Sequence, residues 1–479
     1  MNNKIKTIYL IGIKGVGMTM LAQFLKEQGN EIIGSDITDT FLTDRVLKKE
    51  KIKVLSPFAP INIPTKIDLI IHSSAFSAAS NVEMAFIKNN PERFKNIPLL
   101  SYAVSLGQIF NSYYGIAVCG SHGKTTTSAW LGYVLHKAGK KPSVLVGSRV
   151  PQFSGSSLLG KSKYFVAEVD EYQNKLQYFQ PQGVVLNNIE FDHPDFFKDQ
   201  AAYTKVFAEF IKKIPRDGFL VINNNDSEIQ KIKKYCAGRI LTYDVAPIGQ
   251  TVPTVNYLAH DLKIKNGYQT FLVNDWGEFK ISLWGEHNVY NALAVIAAAR
   301  NLKVALSDIK KHLAGFKGTE RRAQVLGKYK GAVIIDDYAH HPTEVKATLQ
   351  GLRARAPKKN LITVFHPHTF TRTQALFKDF VASFEAANEL IILDIYGSAR
   401  EVTKQSKGGV SSAKLVKKII EHNKARKISQ TVKYIATIPQ TIKYLKTILS
   451  AKDQLLLMGA GDVFRVAGGL LNTDKYGKK

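Results

Sequence analysis

The stretch Gly120-Ser121-His122-Gly123-Lys124-Thr125-Thr126-Thr127 constrains this chain more than any other. It follows the apolar run Tyr114 to Cys119 and leads into a helical pattern from about Thr125 to Ala138. A glycine-rich turn between a strand and a helix lets backbone N–H groups face an anion, and the helix N-terminus adds partial positive charge. Lys124 is placed to reach the β- and γ-phosphates of a nucleotide such as ATP, and the Thr125 hydroxyl to ligate Mg²⁺. Gly120, Ser121, His122, Gly123 and Thr126 complete the predicted cradle. The loop is a variant: the first glycine of the common phosphate-loop pattern would fall at Val118, and Gly120 stands closer.

Such a loop belongs to a parallel α/β sheet, and the chain repeats that pattern in three segments. The first has strands at Thr7 to Ile13, Glu31 to Gly34 and Asp68 to Ile71, with a helix over Met18 to Gln28. The second adds strands at Tyr164 to Ala167 and Gly183 to Leu186 and an alanine-rich helix from near His287 to Arg300. The third has short apolar strands at Ala332 to Ile335, Leu361 to Phe365, Leu390 to Leu393 and Gln454 to Met458. The expected fold is α/β with three domains: Rossmann-like over 1–110, P-loop ATPase-like over 111–316, and Rossmann-like over 317–479.

Composition narrows the class. The two cysteines, Cys119 and Cys236, exclude a disulfide framework and fit a reduced cytoplasm. No apolar run approaches the roughly 20 residues that cross a bilayer. The formal charge of +27 comes from dispersed lysines such as Lys212, Lys231, Lys311, Lys358 and Lys417. That spread fits solubility or attraction of anionic substrates better than nucleic-acid binding, so no nucleic-acid partner is expected.

Ligands of open parallel sheets bind beyond the carboxyl ends of the strands, so the polar residues there carry the chemistry. Glu168 ends a central strand, where a carboxylate can face a metal that prefers oxygen ligands. Asn288 offers donor and acceptor to an adenine edge, or caps the helix that opens beside it. Of Arg321 and Arg322, one is expected to reach a phosphate. Gly12 to Met18 forms a Rossmann-like turn, and Asp36 ends the second strand about 20 residues later, where an acid commonly meets a ribose. The adjacent pair His340 and His341, with no third nitrogen ligand nearby, argues for substrate positioning rather than zinc.

These motifs together resemble the Mur ligase family, over roughly residues 5 to 470. The phosphate loop carries the resemblance. So do Glu168 to Glu171, Asn188 to His193, Gly285 to Ala292, Asp336 to Glu344, and His366 to Thr373. Asp394 to Gly397 and Gly459 to Asp462 also match. The resemblance implies Mg²⁺ held by Thr125, Glu168 and His193, and ATP contacts from His287, Asn288, Asn291, Arg322 and Asp337. It implies a UDP-sugar site at Gly15, Gly17, Met18, Asp36, His72, Ser73 and Ser74. His341, His368 and Arg372 are implied on the third domain, with Lys124, His193 and Arg372 in catalysis. The Asp336 to Glu344 signature favours the alanine-adding branch, which joins L-alanine to the carboxylate of UDP-N-acetylmuramate through an acyl phosphate, over a recycling branch that attaches a tripeptide. A non-catalytic nucleotide switch is the remaining alternative. The expected partners are these small molecules, the expected state monomer or homodimer.

His366, Thr369 and Glu171-Tyr172-Gln173 depart from the family pattern. Arg372 is expected to hold the carboxylate of the free amino acid, since guanidinium binds carboxylates bidentately; its alternative is a surface salt bridge.

Overall fold

Parallel strands buried on both faces read as continuous apolar runs, and three such sets build three sheets here. The computed structural model describes residues 5–41, 43–153, 155–246, 254–397 and 409–472. The last seven residues of the expected third domain therefore lie outside the described residues.

The first sheet is five-stranded and parallel. Thr7–Ile11 lies at its centre, between Glu31–Ser35 and Leu69–His72, with Lys53–Leu55 and Leu99–Ser101 at the edges. The order reverses between Thr7–Ile11 and Leu69–His72. That switch point puts the Gly12–Gly17 turn beside His72–Ser74. A Cβ on Gly12 would lie 3.0 Å from Cβ of Ser73, and its φ of +82° needs glycine.

The second sheet has ten strands. Tyr114–Cys119 is flanked by Tyr164–Glu168 and Gly183–Leu186, all parallel. Helices Lys124–Lys137 and Glu286–Asn301 pack on one face, and both are buried around most of their circumference. That explains why they are rich in alanine, leucine and small residues rather than amphipathic. The sheet extends through the antiparallel strands Tyr257–Lys265, Tyr268–Val273 and Glu278–Ile281, and through the hairpin Ser143–Val150 with Gly155–Leu158.

The third sheet has six strands, with Asp453–Met458 between Ala332–Asp337 and Asn360–Phe365. Gln324–Tyr329 pairs antiparallel at one edge.

The contacts between sheets differ in kind. Met20 and Phe24, on helix Val16–Glu27 of the first unit, share a core with Leu145 and Phe165 of the second. The Phe24 and Phe165 rings meet edge-on at 5.3 Å. The second and third units meet instead through polar side chains at their strand ends.

Candidate active site

Cys119 ends its strand, and the chain turns through Gly120 at φ +125° and Gly123 at φ +77° into helix Lys124–Lys137. No side chain caps that helix, so its first-turn N–H groups have no intrahelical acceptor. A Cβ on Gly123 would come within 2.5 Å of Asn291 Oδ1. The glycine thus lets helix Glu286–Asn301 approach the loop.

The Lys124 ammonium donates to the carbonyls of Gly120 at 2.5 Å and Ser121 at 3.0 Å, and pairs with Glu171 at 3.2 Å. Burial would lower the lysine pKa, but Glu171 and neighbouring acids outweigh it and raise it. Glu171 is fully buried and also accepts from the Tyr203 hydroxyl at 2.8 Å, while that hydroxyl lies 2.9 Å from Ser121 Oγ. Tyr203 is on helix Gln200–Ile211 and carried no signal in the sequence, because only packing brings it to the loop.

Glu168 accepts from the Thr125 hydroxyl at 2.8 Å and from the Gly147 N–H at 2.5 Å. Burial pushes its pKa up, so its charged form gains from a nearby cation. His193 stands on the next strand-end loop at φ +57°, and its Nε2 is 3.7 Å from Glu171 Oε1. One ligand atom each from Asp170, Glu171 and His193 lies within 4.8 Å of the others. A hydroxyl and a carboxylate beside a phosphate loop are the hard oxygen donors that Mg²⁺ takes, so Thr125 and Glu168 fit that ion, while His193 offers a nitrogen and groups with Asp170 and Glu171 instead.

A cavity of about 700 Å³ opens between the second and third units, lined by His122, Asn288, Asn291, Arg322 and Asp337 among others. Gly285, at φ +95°, is the N-cap of helix Glu286–Asn301. The capping alternative for Asn288 is therefore not what the chain adopts: its amide donates to Trp284 O at 2.7 Å and accepts from Asn291 at 3.1 Å. His287 is held neutral, because burial lowers its pKa to about 4. Arg321 is consumed by Asp336 and by the carbonyls of Gly459 and Gly461. Arg322 instead lines the cavity, 3.9 Å from Glu344. Burial raises the Asp337 pKa to about 6, although its oxygens accept from the Ala323 and Ala339 N–H groups, each at 2.7 Å.

His122 lines the cavity, and both of its ring nitrogens are engaged by carboxylates. Its Nε2 lies 3.0 Å from Glu190 and its Nδ1 3.1 Å from Glu344. Its ring sits 4.7 Å from that of His341. His341 caps helix Pro342–Arg355 in a capping box with Glu344, and its Nδ1 accepts from Thr343 N–H. The pattern of a capping residue followed three positions later by Glu was readable in the sequence; the reach of Glu344 to His122 was not.

Arg372 is on helix Phe370–Ala375 and is buried. It grips Asp192 through Nε at 2.9 Å and Nη2 at 3.3 Å, and its Nη1 lies 3.3 Å from His368 Nδ1. The alternative of a surface salt bridge gives way to a buried pair between the second and third units. His368 stacks on Tyr396 at 5.7 Å and is neutral, burial lowering its pKa to about 3.

The first unit's candidates gather separately, at its switch point. Gly15 is the N-cap of Val16–Glu27, and a Cβ on Gly17 would meet the Tyr102 ring at 2.9 Å. Asp36 already accepts from the N–H groups of Lys14 at 2.6 Å and Ile37 at 2.8 Å, so it braces the turn. The Met18 side chain lies in the core, which leaves its backbone to face a ligand. His72 Nδ1 is 3.1 Å from Ser73 O, and Ser74 is exposed.

Comparison with known proteins bears on all three units. Residues 7–114 match the Mur ligase family catalytic domain, 118–299 the Mur ligase middle domain, and 321–461 the Mur ligase glutamate ligase domain. The UDP-N-acetylmuramate–L-alanine ligase of Desulfitobacterium hafniense is 36% identical, with 97% of this chain and 99% of that protein covered. The chain belongs to the Mur ligase family. The protein of the same name from Alkaliphilus metalliredigens is 37% identical, with 98% of each chain covered. Two solved structures share the fold of this Mur ligase. The UDP-N-acetylmuramate–alanine ligase of Thermotoga maritima superposes with a TM-score of 0.78 at 22% identity, covering 98% of both chains. The murein peptide ligase of Psychrobacter arcticus gives 0.70 at 23%, covering 98% of this chain and 99% of the other. The Mur ligase architecture of three α/β domains is therefore that expected, Rossmann-like at both ends around a central domain. Among the described residues, no helix is long and apolar enough to cross a membrane.

Proposed function

We propose that this Mur ligase joins L-alanine to the lactyl carboxylate of UDP-N-acetylmuramate at the expense of ATP, in the cytoplasm, for peptidoglycan precursor synthesis. The observation that supports it most is one cavity lined by His122, Gly123 and Thr126 of the phosphate loop together with Asn288, Asn291 and Arg322, with the Thr125–Glu168 pair at the start of the helix that the same loop opens. Relatives named for this reaction match nearly end to end.

On this reading, ATP lies in the cavity with its phosphates on the first turn of helix Lys124–Lys137. Lys124 and Arg322 neutralise charge on the transferred phosphoryl group. Thr125 and Glu168 hold Mg²⁺, which when bound offsets charge on the phosphate oxygens. The first domain fixes the uridine diphosphate at Gly12–Gly17 and His72–Ser74. The carboxylate oxygen attacks the γ-phosphorus and ADP leaves. The amine of L-alanine then attacks the acyl carbon, phosphate departs, and the amine gives up a proton. His341, His368 and Arg372 bring the third domain to the amino acid.

The test uses muramate labelled with heavy oxygen in the carboxylate. Label should appear in the released phosphate when L-alanine is the acceptor, with a tripeptide a far poorer acceptor. Unlabelled phosphate removes the acyl phosphate, and preference for tripeptide makes this a recycling enzyme.

A further inference from the structure

The first two domains share an apolar core, whereas the third is tied to the second by charged and hydroxyl groups. Apolar interfaces hold domains as one body; small polar ones permit relative motion. Beside the Arg372–Asp192 pair, several of these ties meet around one side chain. His122 of the phosphate loop has one ring nitrogen on Glu190, from the second domain, and the other on Glu344, from the third. Thr343 of the third domain donates to the second oxygen of Glu190 at 2.6 Å. Glu344 also accepts from the His340 N–H at 3.1 Å and faces Arg322 at 3.9 Å.

We infer that His122 is a latch that positions the third domain over the phosphate loop by bridging Glu190 and Glu344. A divalent transition metal in place of the latch is a poorer fit, although one ligand atom each from His122, Glu190 and His341 lies within 4.8 Å of the others. His341 Nδ1 accepts a backbone N–H, so the hydrogen of the neutral ring is on Nε2, and that buried atom is a donor rather than a ligand. Of the two rings, that of His122 alone holds the carboxylates of Glu190 and Glu344. Both ring nitrogens of His122 are taken by these two acids, so it acts through domain position rather than by touching phosphate. Whether the third-domain residues Arg322, His368 and Arg372 face the second domain then depends on a group in the nucleotide loop itself.

The inference rests on the ligase reading only for its kinetic arm. The structural arm uses the full chain without substrates, carrying Cys236→Ser and spin labels at Lys205→Cys and Lys417→Cys, both exposed, one on each domain. Pulsed dipolar spectroscopy should give one narrow distance distribution. His122→Ala should broaden it, Glu344→Gln should do the same, and the double variant should add little more, as groups in one network couple. In turnover, His122→Ala should lower kcat by about tenfold while the KM for ATP moves less than about threefold, the split expected of a lost positioning contact. His122→Lys, which keeps a cation, should recover part of both. Unchanged distances in a folded His122→Ala variant, or additive effects in the double variant, overturn the latch. A rise in the ATP KM with distances unchanged makes His122 a phosphate ligand instead. Broadened distances with no ligase activity in any form leave the latch standing and sink the ligase reading.

Discussion

Nε of Arg372 lies 2.9 Å from Oδ1 of Asp192, and each side chain is only 7% exposed. The pair joins the third domain to the loop that also carries His193. Burial alone would raise the Asp192 pKa; the guanidinium holds it well below the carboxylate range instead. Arg372→Ala leaves that charge buried without a partner, which costs about 3–5 kcal/mol. The melting temperature should fall. In turnover the KM for L-alanine should rise about tenfold or more while that for ATP barely changes, given the strength of a charged hydrogen bond. Steady-state kinetics with each substrate varied in turn decides it: a climbing ATP KM with a constant L-alanine KM places Arg372 at the nucleotide.

Lys124 and the first domain are expected to serve different parts of the reaction. Lys124→Ala should abolish phosphate release yet leave binding of the UDP-sugar nearly intact by calorimetry. Equal loss of both in a folded variant would refute that division.

Gly147 is the closest neighbour that shapes Glu168. A Cβ there would sit 2.5 Å from Glu168 Oε2 and 2.7 Å from Oε1. Gly147→Ala must swing the carboxylate off Thr125. The Mg²⁺ concentration for half-maximal rate should rise about 10-fold or more, as for other disturbed ligand supports. A Mg²⁺ titration that matches the parent enzyme would take Glu168 out of the metal site.

The His122 contacts also set a pH limit. Burial would lower its pKa, but Glu190 and Glu344 outweigh that and raise it from 6.5 to about 9. His341, facing the same ring, has its own pKa lowered, by burial first and then by the His122 charge. A histidine whose folded pKa is raised gives stability fully present below about its unfolded pKa and lost as pH rises through the folded one. The stability difference between the parent and His122→Ala should therefore be largest near pH 6 and shrink as pH passes about 9. Denaturant titrations at several pH values measure it; a difference that grows with pH would contradict the pairing.

Much of this arrangement could be read from the chain alone. Tyr114–Cys119 and Gly183–Leu186 form over the residues their apolar runs marked, because central parallel strands are buried on both faces. The antiparallel extension was not legible. Tyr257–Lys265 is largely exposed over its second half and carries two lysines, an aspartate and a histidine, so its pattern resembles loop. Motif residues were found wherever glycine, charge and spacing coincide at a strand end. Tyr203 was missed, and Asp192, Glu190 and Glu344 were seen only as letters within motifs.

What the sequence determined is the set of strands, the phosphate loop and the chemical groups at the strand ends. Those follow from local backbone preference and from apolar patterning, which act over a few residues. Only the tertiary structure decided which groups pair. Asp192 and Arg372 are 180 positions apart, and His122 and Glu344 are 222 apart. No local rule links such positions. They meet because two separately folded sheets turn their carboxyl ends toward one cavity, where buried charges must find partners.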